Sequence, residues 1–522
     1  MIIDVPTRSI LLNTKHVQHL RNLLPRHTQL IDHKGHNLAV HYTLETAKVL
    51  RNLRYDVPSP IRSFYNWPGK YIPFAHQIDT SEFLTFNRRC FVLSEMGTAK
   101  SASALWAADY LMNVKQLQRV LIVAPLSTLD MVWRKEIFDV LMHRTAVILK
   151  GDAQRRRELL AKNSEFYIVN YEGLPIIAHD LKSRPDIGLV IVDEAAAYRN
   201  GTNDRYDTLL SVVGQKWKAS AARRMWLLTG TPCPNAPSDA WALAKLVDPL
   251  KVPHYFTTFK RQVMFQASTH KWIAKPGASE KAYAVLQPAI RFKKSDCLDL
   301  PPVTFSRREC ALTKEQQEAY REMKNYMVAE AEATQISAVN AADQIGKLQQ
   351  ILCGAVRDKN GVYRVLNHAP RLNVLLECIE QASAKVIVII PYKGITYELA
   401  KEVSLKYTCD VVNGDISQTK RAEIWQRFKH TPDPHVVLCH PKVMAHGLTL
   451  VEADMMVFYA PIRSNELAQQ VMERMNRPGQ TRSMNVIRIG GAPLEWNIYN
   501  VVESKQIDQQ SILDLYRKEM MT

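Results

Sequence analysis

The stretch Arg89–Trp106, RCFVLSEMGTAKSASALW, decides how the rest of the chain is read. "RCFVLS" is a short apolar run with a polar end, "EMGTA" is a small-residue turn, and "KSASALW" opens an Ala-rich helix. A strand, a tight loop and a helix in that order present backbone N–H groups and a helix N-terminus to a phosphate. Lys100 is placed to reach the β/γ-phosphates of a nucleotide and Ser101 to ligate Mg²⁺, with Gly97, Thr98 and Ala99 forming the cradle. The residue before such a Lys is normally Gly, which takes a positive φ at no steric cost. Here it is Ala99, for which that conformation costs about 1 kcal/mol. This is strain, not a veto.

Similar short runs follow the first: RVLIVAP, TAVILK, EFYIVN, GLVIVDE and RMWLLTG, separated by helical stretches. They are strand-length, rich in β-branched residues and end in polar or turn residues, which is the pattern of a parallel sheet in an α/β domain. Ligands of such sheets sit at the carboxyl ends of the strands. Leu189–Asn200, LVIVDEAAAYRN, ends in the acidic pair Asp193-Glu194. Asp193 can hold Mg²⁺, and Glu194 can orient and deprotonate an attacking water. A solvated acidic pair at a strand end is common; one downstream of a Lys-Ser loop is much less so. Near the other end, Gln469–Gln480 reads QQVMERMNRPGQ. Gln470, Arg474 and Arg477 have the spacing of one helix face, and an Arg held over a γ-phosphate stabilises transition-state charge. The competing reading of those arginines is a solvated basic helix.

The chain has 522 residues, enough for two or three domains. Lys and Arg outnumber Asp and Glu by 68 to 51, a formal charge of +17, which favours a polyanionic partner such as nucleic acid. The eight cysteines form no CxxC pair, so neither a zinc ribbon nor a disulfide framework is expected. The N-terminus lacks the layout of a signal peptide, and no apolar run approaches the roughly 20 residues of a membrane span. A cytoplasmic or nucleoid-associated protein, monomeric and away from membranes, is the expectation.

Residues 1–70 read as a small basic α/β unit, with ten Lys/Arg against four Asp/Glu and a hairpin about Lys34-Gly35. Its last part, DVPSPIRSFYNWPGKYIP, reads as a Pro-rich linker. Residues 71–250 hold the first strand rhythm, 251–355 read as a helical insertion, and 356–510 hold a second rhythm (KVIVIIP, CDVVNGD, HVVLCHP, MMVFYAP, MNVIRIG). Residues 511–522 read as a C-terminal helix end. The expected fold is α/β, with two parallel-sheet lobes separated by the helical region.

In this order the motifs resemble those of the Swi/Snf-type DNA translocases of helicase superfamily two. His76-Gln77 resembles the Gln motif, SEMGTAKS motif I, VLIVAPLSTLDMVWRKE motif Ia, VNYEGL motif Ib, VDEAAAYRN motif II and LLTGTPCPN motif III. DLPPVTF resembles the segment leaving the first lobe. KVIVIIPY, VVNGDISQTKRAEIWQRF, MAHGLTLVEAD and QQVMERMNRPGQ resemble the second-lobe motifs. The resemblance covers roughly residues 71–510. Departures are Ala99 for the motif I Gly, Ala196 for the His that usually ends motif II, and HGLTL where two glycines are frequent.

The resemblance implies two RecA-like lobes closing on Mg-ATP. Gln77 would read the adenine; Lys100, Asp193 and Glu194 would act from one lobe, and Gln470, Arg474 and Arg477 from the other. DNA, double-stranded by preference, would be held by phosphate contacts that do not read sequence. Ser127, Thr128, Tyr171, Lys442 and Gly447 are the candidates, each equally readable as a cap or turn residue. The resemblance leaves three activities open: a duplex translocase or remodeller, a helicase that unwinds or anneals strands, and a slow nucleotide-gated DNA-binding or anti-host interaction protein.

Overall fold

The computed structural model describes residues 1–24, 29–33, 35–214, 222–234, 236–267, 272–333, 338–357, 362–444 and 448–503. Lys34, Asn235, Gly447 and residues 511–522, which carried expectations, lie outside these. The chain divides into two compact units, one holding Met1–Phe265 with Ala274–Cys297, the other 266–273 and the chain from Leu298 onward.

The first unit opens with a four-stranded antiparallel sheet of Ile2–Asp4, Ser9–Leu12, His36–His41 and Gln29–His33, in that spatial order. Helices Val17–Leu23 and Leu44–Asn52 accompany it, and Ile10, Leu12, Leu20, Leu38, Val40, Ala47 and Leu50 form a core of their own. The main sheet of this unit has seven parallel strands. Their order is Ala289–Ile290, Arg89–Val92, Arg224–Leu228, Ile187–Val192, Arg119–Ala124, Phe166–Asn170 and Ala146–Ile148. The central strands are buried along nearly their whole length, as the unbroken apolar runs require when helices cover both faces.

The second unit carries six parallel strands, ordered Val303–Glu309, Met484–Gly490, Ala453–Phe458, Lys385–Ile389, Val436–Cys439 and Cys409–Val412. Long helices Lys314–Ala333 and Ala338–Cys353 precede Lys385. Both parallel-sheet lobes of the expected fold class are therefore present. Among the described residues no helix is long and apolar enough to cross a membrane.

Two local readings are corrected. The stretch read as a linker is packed: Val57 and Ile61 are fully buried, and Tyr65 donates to Asp109 Oδ2 at 2.6 Å. Trp67 sets its ring edge-on to Trp106, whose Nε1 donates to the Pro68 carbonyl at 3.0 Å. Prolines there fix a path along the domain, and the aromatics fill it. Two edge strands, Ala289–Ile290 and Val303–Glu309, also lie inside the stretch read as helical. The first is too short to show a period, and the second, VTFSRRE, is a largely exposed edge without apolar alternation.

Candidate functional site

Ala99 takes φ 53° and ψ 44°, the left-handed conformation that the Lys-Ser loop needs, and starts the helix Lys100–Asn113. Gly97 has φ 82°. The first-turn amides of a helix have no intrahelical acceptor, and Ala99 at the N-cap makes no side-chain bond to them. Such an N-terminus behind a left-handed turn fits a phosphate. Lys100 Nζ donates to the carbonyls of Ser94 at 2.8 Å and Glu95 at 2.9 Å, so the ammonium lies folded over its own loop. Gln77 Nε2 lies 3.4 Å from the Ala99 carbonyl while its Oε1 accepts from the Phe74 amide at 2.9 Å. His76 Nε2 donates to the Thr98 carbonyl at 3.0 Å. A Cβ on Gly230 would lie 3.3 Å from Met96, so the Thr229-Gly230 turn seats directly on this loop.

Asp193 and Glu194 leave the end of strand Ile187–Val192, one strand removed from the loop. Trp133 Nε1 donates to Asp193 Oδ2 at 2.9 Å, and the Glu194 amide to Asp193 Oδ1 at 3.0 Å. Burial, then the charge of Glu194, push the Asp193 carboxyl up to about 6, against the Trp133 hydrogen bond and the charge of Lys100. Glu194 itself takes a left-handed φ of 45°. Among the described residues no cluster of three or more His, Cys, Asp or Glu could hold a metal. Mg²⁺ does not need one: it keeps waters and takes one or two protein oxygens plus substrate phosphates. Asp193 and the Ser101 hydroxyl are hard oxygen donors of that kind.

The loop is also tied to the segment that leaves this unit. The amides of Phe292 and Lys294 donate to Ser94 Oγ at 3.1 Å and Glu95 Oε2 at 2.9 Å, and the Glu95 amide donates to the Phe292 carbonyl at 3.0 Å. Neither this clasp nor the Trp133–Asp193 bond is readable from sequence, because the partners are nearly 200 and 60 residues apart. The Trp133 motif marked the residue but not what it holds.

In the second unit the helix Asn465–Met472 ends before either arginine, so Gln470, Arg474 and Arg477 do not share one helix face. Arg474 and Arg477 lie in the turns that follow. Arg474 is 4% exposed, with Nε on the Gln470 carbonyl at 2.9 Å, and its own carbonyl accepts from the Leu450 amide at 2.8 Å. Arg477 bonds the Glu473 carbonyl through Nε and Thr449 Oγ1 through Nη1, at 2.9 and 3.3 Å. Gln470 is buried beside Glu466.

The candidate nucleic-acid residues divide. Ser127 and Lys442 are exposed. Thr128 is buried and donates to the Pro125 carbonyl at 2.8 Å, closing a turn. Tyr171 is buried edge-on to Tyr198, and its hydroxyl donates to the Asp193 carbonyl at 2.6 Å. The structure thus places Tyr171 beneath the acidic pair.

A Lys-Ser loop and an acidic pair at the carboxyl ends of one parallel sheet, joined in the same chain to a second parallel lobe, define a helicase-type ATPase architecture. The chain matches the SNF2-related domain over residues 33–360 and the helicase conserved C-terminal domain over 370–479. It belongs to the SNF2-related family of helicase superfamily two. It is 25% identical over 407 residues to the uncharacterized ATP-dependent helicase MG018 of Mycoplasma genitalium, covering 76% of this chain and 37% of that protein. It is 21% identical over 486 residues to putative protein p41 of Acyrthosiphon pisum secondary endosymbiont phage 1, covering 88% and 99%. With the human DNA annealing helicase and endonuclease ZRANB3 it shares 25% identity over 447 residues, 80% of this chain and 38% of that one. The chain therefore spans well under half of MG018 and ZRANB3. The Sulfolobus solfataricus SWI2/SNF2 ATPase core in complex with dsDNA aligns with a TM-score of 0.41 at 18% identity, covering 87% of this chain and 95% of that one.

Proposed function

We propose that the chain is a DNA-dependent ATPase that hydrolyses Mg-ATP to move along or remodel double-stranded DNA. The observation that carries this is the pairing of a left-handed Lys100 loop with the half-buried Asp193–Glu194 pair at the same end of one sheet. The chemistry a bound Mg²⁺ would supply is positive charge against the transferring phosphoryl group. Asp193 and Ser101 would hold that ion. Lys100 would leave the Ser94 and Glu95 carbonyls for the phosphates, and Glu194 would take the proton of the attacking water. Gln77 would meet the adenine. Arg474 and Arg477, with Gln470 behind them, would bring positive charge from the second lobe, so that turnover depends on lobe closure. The charge of +17 and the exposed Ser127 and Lys442 support a mainly electrostatic, sequence-tolerant hold on DNA. A monomer acting in the bacterial or host-cell cytoplasm, associated with the nucleoid, fits this reading.

ATPase rates with no nucleic acid, single strands, duplex and RNA test it. Duplex is expected to stimulate most, and stimulation to fall steeply with salt. The chain is expected to displace a triplex strand while opening a plain duplex poorly. Efficient duplex opening without triplex displacement would replace the translocase reading with a strand-separating one.

A further inference from the structure

Three cations meet at the amino ends of the first sheet's strands, the end opposite the Lys100 loop. Arg224 opens strand Arg224–Leu228, whose Met225 is in register with Arg89 next door. Arg224 is 6% exposed, its Nη2 donates to Gln116 Oε1 at 3.2 Å, and its buried Nη1 meets no acceptor among the described residues. Lys48, on helix Leu44–Asn52 of the N-terminal sheet domain, donates to the same Gln116 Oε1 at 3.4 Å. Arg88 is exposed, holds the Ala222 carbonyl at 2.9 Å, and adds its charge to the same place. One neutral amide oxygen is thus shared by an ammonium and a guanidinium, beside a third cation.

This is not how the unit treats its other arginines. Arg89, one residue from Arg88, is saturated by the carbonyls of Arg223, Leu246, Val213 and Gly214. Arg119 and Arg144 face carboxylates, Asp186 for the first and Asp109 with Glu165 for the second. A buried charged donor left unmet is costly, and an anion resolves it. Glu45, one turn before Lys48, is the nearby carboxylate, and its influence on Lys48 is the weakest of those acting. Burial first, then the charges of Arg224 and Arg88, pull the Lys48 ammonium down to about 8. Gln116 is exposed at a helix end, so its side chain can swing aside and let a phosphate oxygen take its place.

We propose that Lys48, Arg88 and Arg224 form a phosphate site that holds the backbone of duplex DNA, away from the nucleotide loop. The assignment rests on the DNA-acting reading above. Duplex is favoured over a free small anion because the site joins an exposed Arg to a domain with ten basic and four acidic residues in its first 70. That domain gives a continuous polyanion further contacts, which a lone phosphate cannot use.

The test is anisotropy of a labelled 30-base-pair duplex against salt, without nucleotide, for the full chain and for Lys48→Ala, Arg88→Ala and Arg224→Gln. Each variant is expected to weaken binding several-fold on any sequence and to flatten the salt slope by about one. Melting temperature is read alongside: Arg224→Gln is expected to melt no lower than wild type, since it removes an unmet buried charge. Should Arg224→Gln fold poorly, Lys48→Ala and Arg88→Ala still decide. Wild-type affinity and slope in Lys48→Ala and Arg88→Ala overturn the site while leaving the DNA-acting reading intact. A wild-type chain that does not bind duplex at low salt overturns that reading and this one together. Inorganic pyrophosphate is the control ligand: if it raises the melting temperature of wild type by more than that of the three variants, which keep the Lys100 loop, with duplex affinity unchanged, the site serves a free anion and the DNA assignment falls.

Discussion

Trp133 Nε1 donates to Asp193 Oδ2 at 2.9 Å, so a fully buried indole holds the carboxylate on which metal binding would depend. With the Asp193 carboxyl raised to about 6, its charge is lost as pH falls through that value. The sign is fixed by linkage: between the ordinary Asp value near 4 and about 6, the folded chain holds a proton that the unfolded chain releases. Metal-free stability contributed by this group therefore falls as pH rises through that window, while Mg²⁺ affinity rises. ATPase activity is expected to drop on acidification, with a midpoint toward pH 6 at limiting Mg²⁺ and a lower one at saturating Mg²⁺, because a bound cation favours the carboxylate. Because the Trp133 hydrogen bond lowers the Asp193 value, Trp133→Phe is expected to move that midpoint upward. A pH–rate profile of the folded variant with an unmoved acid limb would separate Asp193 from the metal.

Lys100→Ala is expected to abolish hydrolysis, and Glu194→Gln to retain ATP binding while blocking turnover. The motive is their placement at the loop–helix junction and the strand end. Nucleotide binding by equilibrium dialysis and steady-state phosphate release separate the two cases. Undiminished release in either variant removes the role assigned to it.

Ala99 sits at φ 53°, where Gly would relieve about 1 kcal/mol of strain. Gly also loosens the unfolded chain, which offsets roughly 0.4–1 kcal/mol of that gain. Ala99→Gly is therefore expected to change melting temperature little and to keep or modestly improve ATP affinity. Loss of nucleotide binding in a folded variant would mean that the loop works in another geometry.

If Arg477 acts as proposed, Arg477→Ala is expected to lower turnover far more than ATP affinity, because such a charge acts mainly on the transition state. Arg474→Ala should do the same and also lower stability, since Arg474 is buried against the Gln470 carbonyl. Normal hydrolysis by both variants would leave these arginines as braces between the Leu448–Leu450 segment and the helix end.

Both parallel sheets were legible because their strands are apolar on both faces, as Val120–Ala124 and Val386–Ile389 illustrate. The left-handed turn at Ala99 was legible from its neighbours Gly97 and Lys100, although the residue type argues against it. What could not be read were the partners. Thr128 and Tyr171 carry polar tips that suit a surface, yet both are buried on backbone carbonyls. The end of the helix at Met472 was hidden because the residues after it, Glu473 to Met475, are good helix formers. The cation cluster was invisible because Lys48, Arg88, Gln116 and Arg224 are far apart in sequence.

Removal of residues 1–70 tests the packed aromatic stretch directly. The buried core of the N-terminal sheet domain runs to Val57, with Phe64 packed against its side. Ile61 and Tyr65, by contrast, belong to the core of the first parallel lobe, and Ser59 N and Arg62 engage Glu82. A chain lacking residues 1–57 is expected to keep most basal ATPase and to lose duplex affinity, since it sheds basic residues including Lys48. A chain lacking residues 1–70 additionally empties the places of Ile61 and Tyr65, where truncating a single buried side chain costs about 2–5 kcal/mol. It is expected to melt markedly lower or to fail to fold. Thermal denaturation of the two truncations side by side decides: equal melting temperatures would show that the aromatic stretch adds nothing to the first lobe.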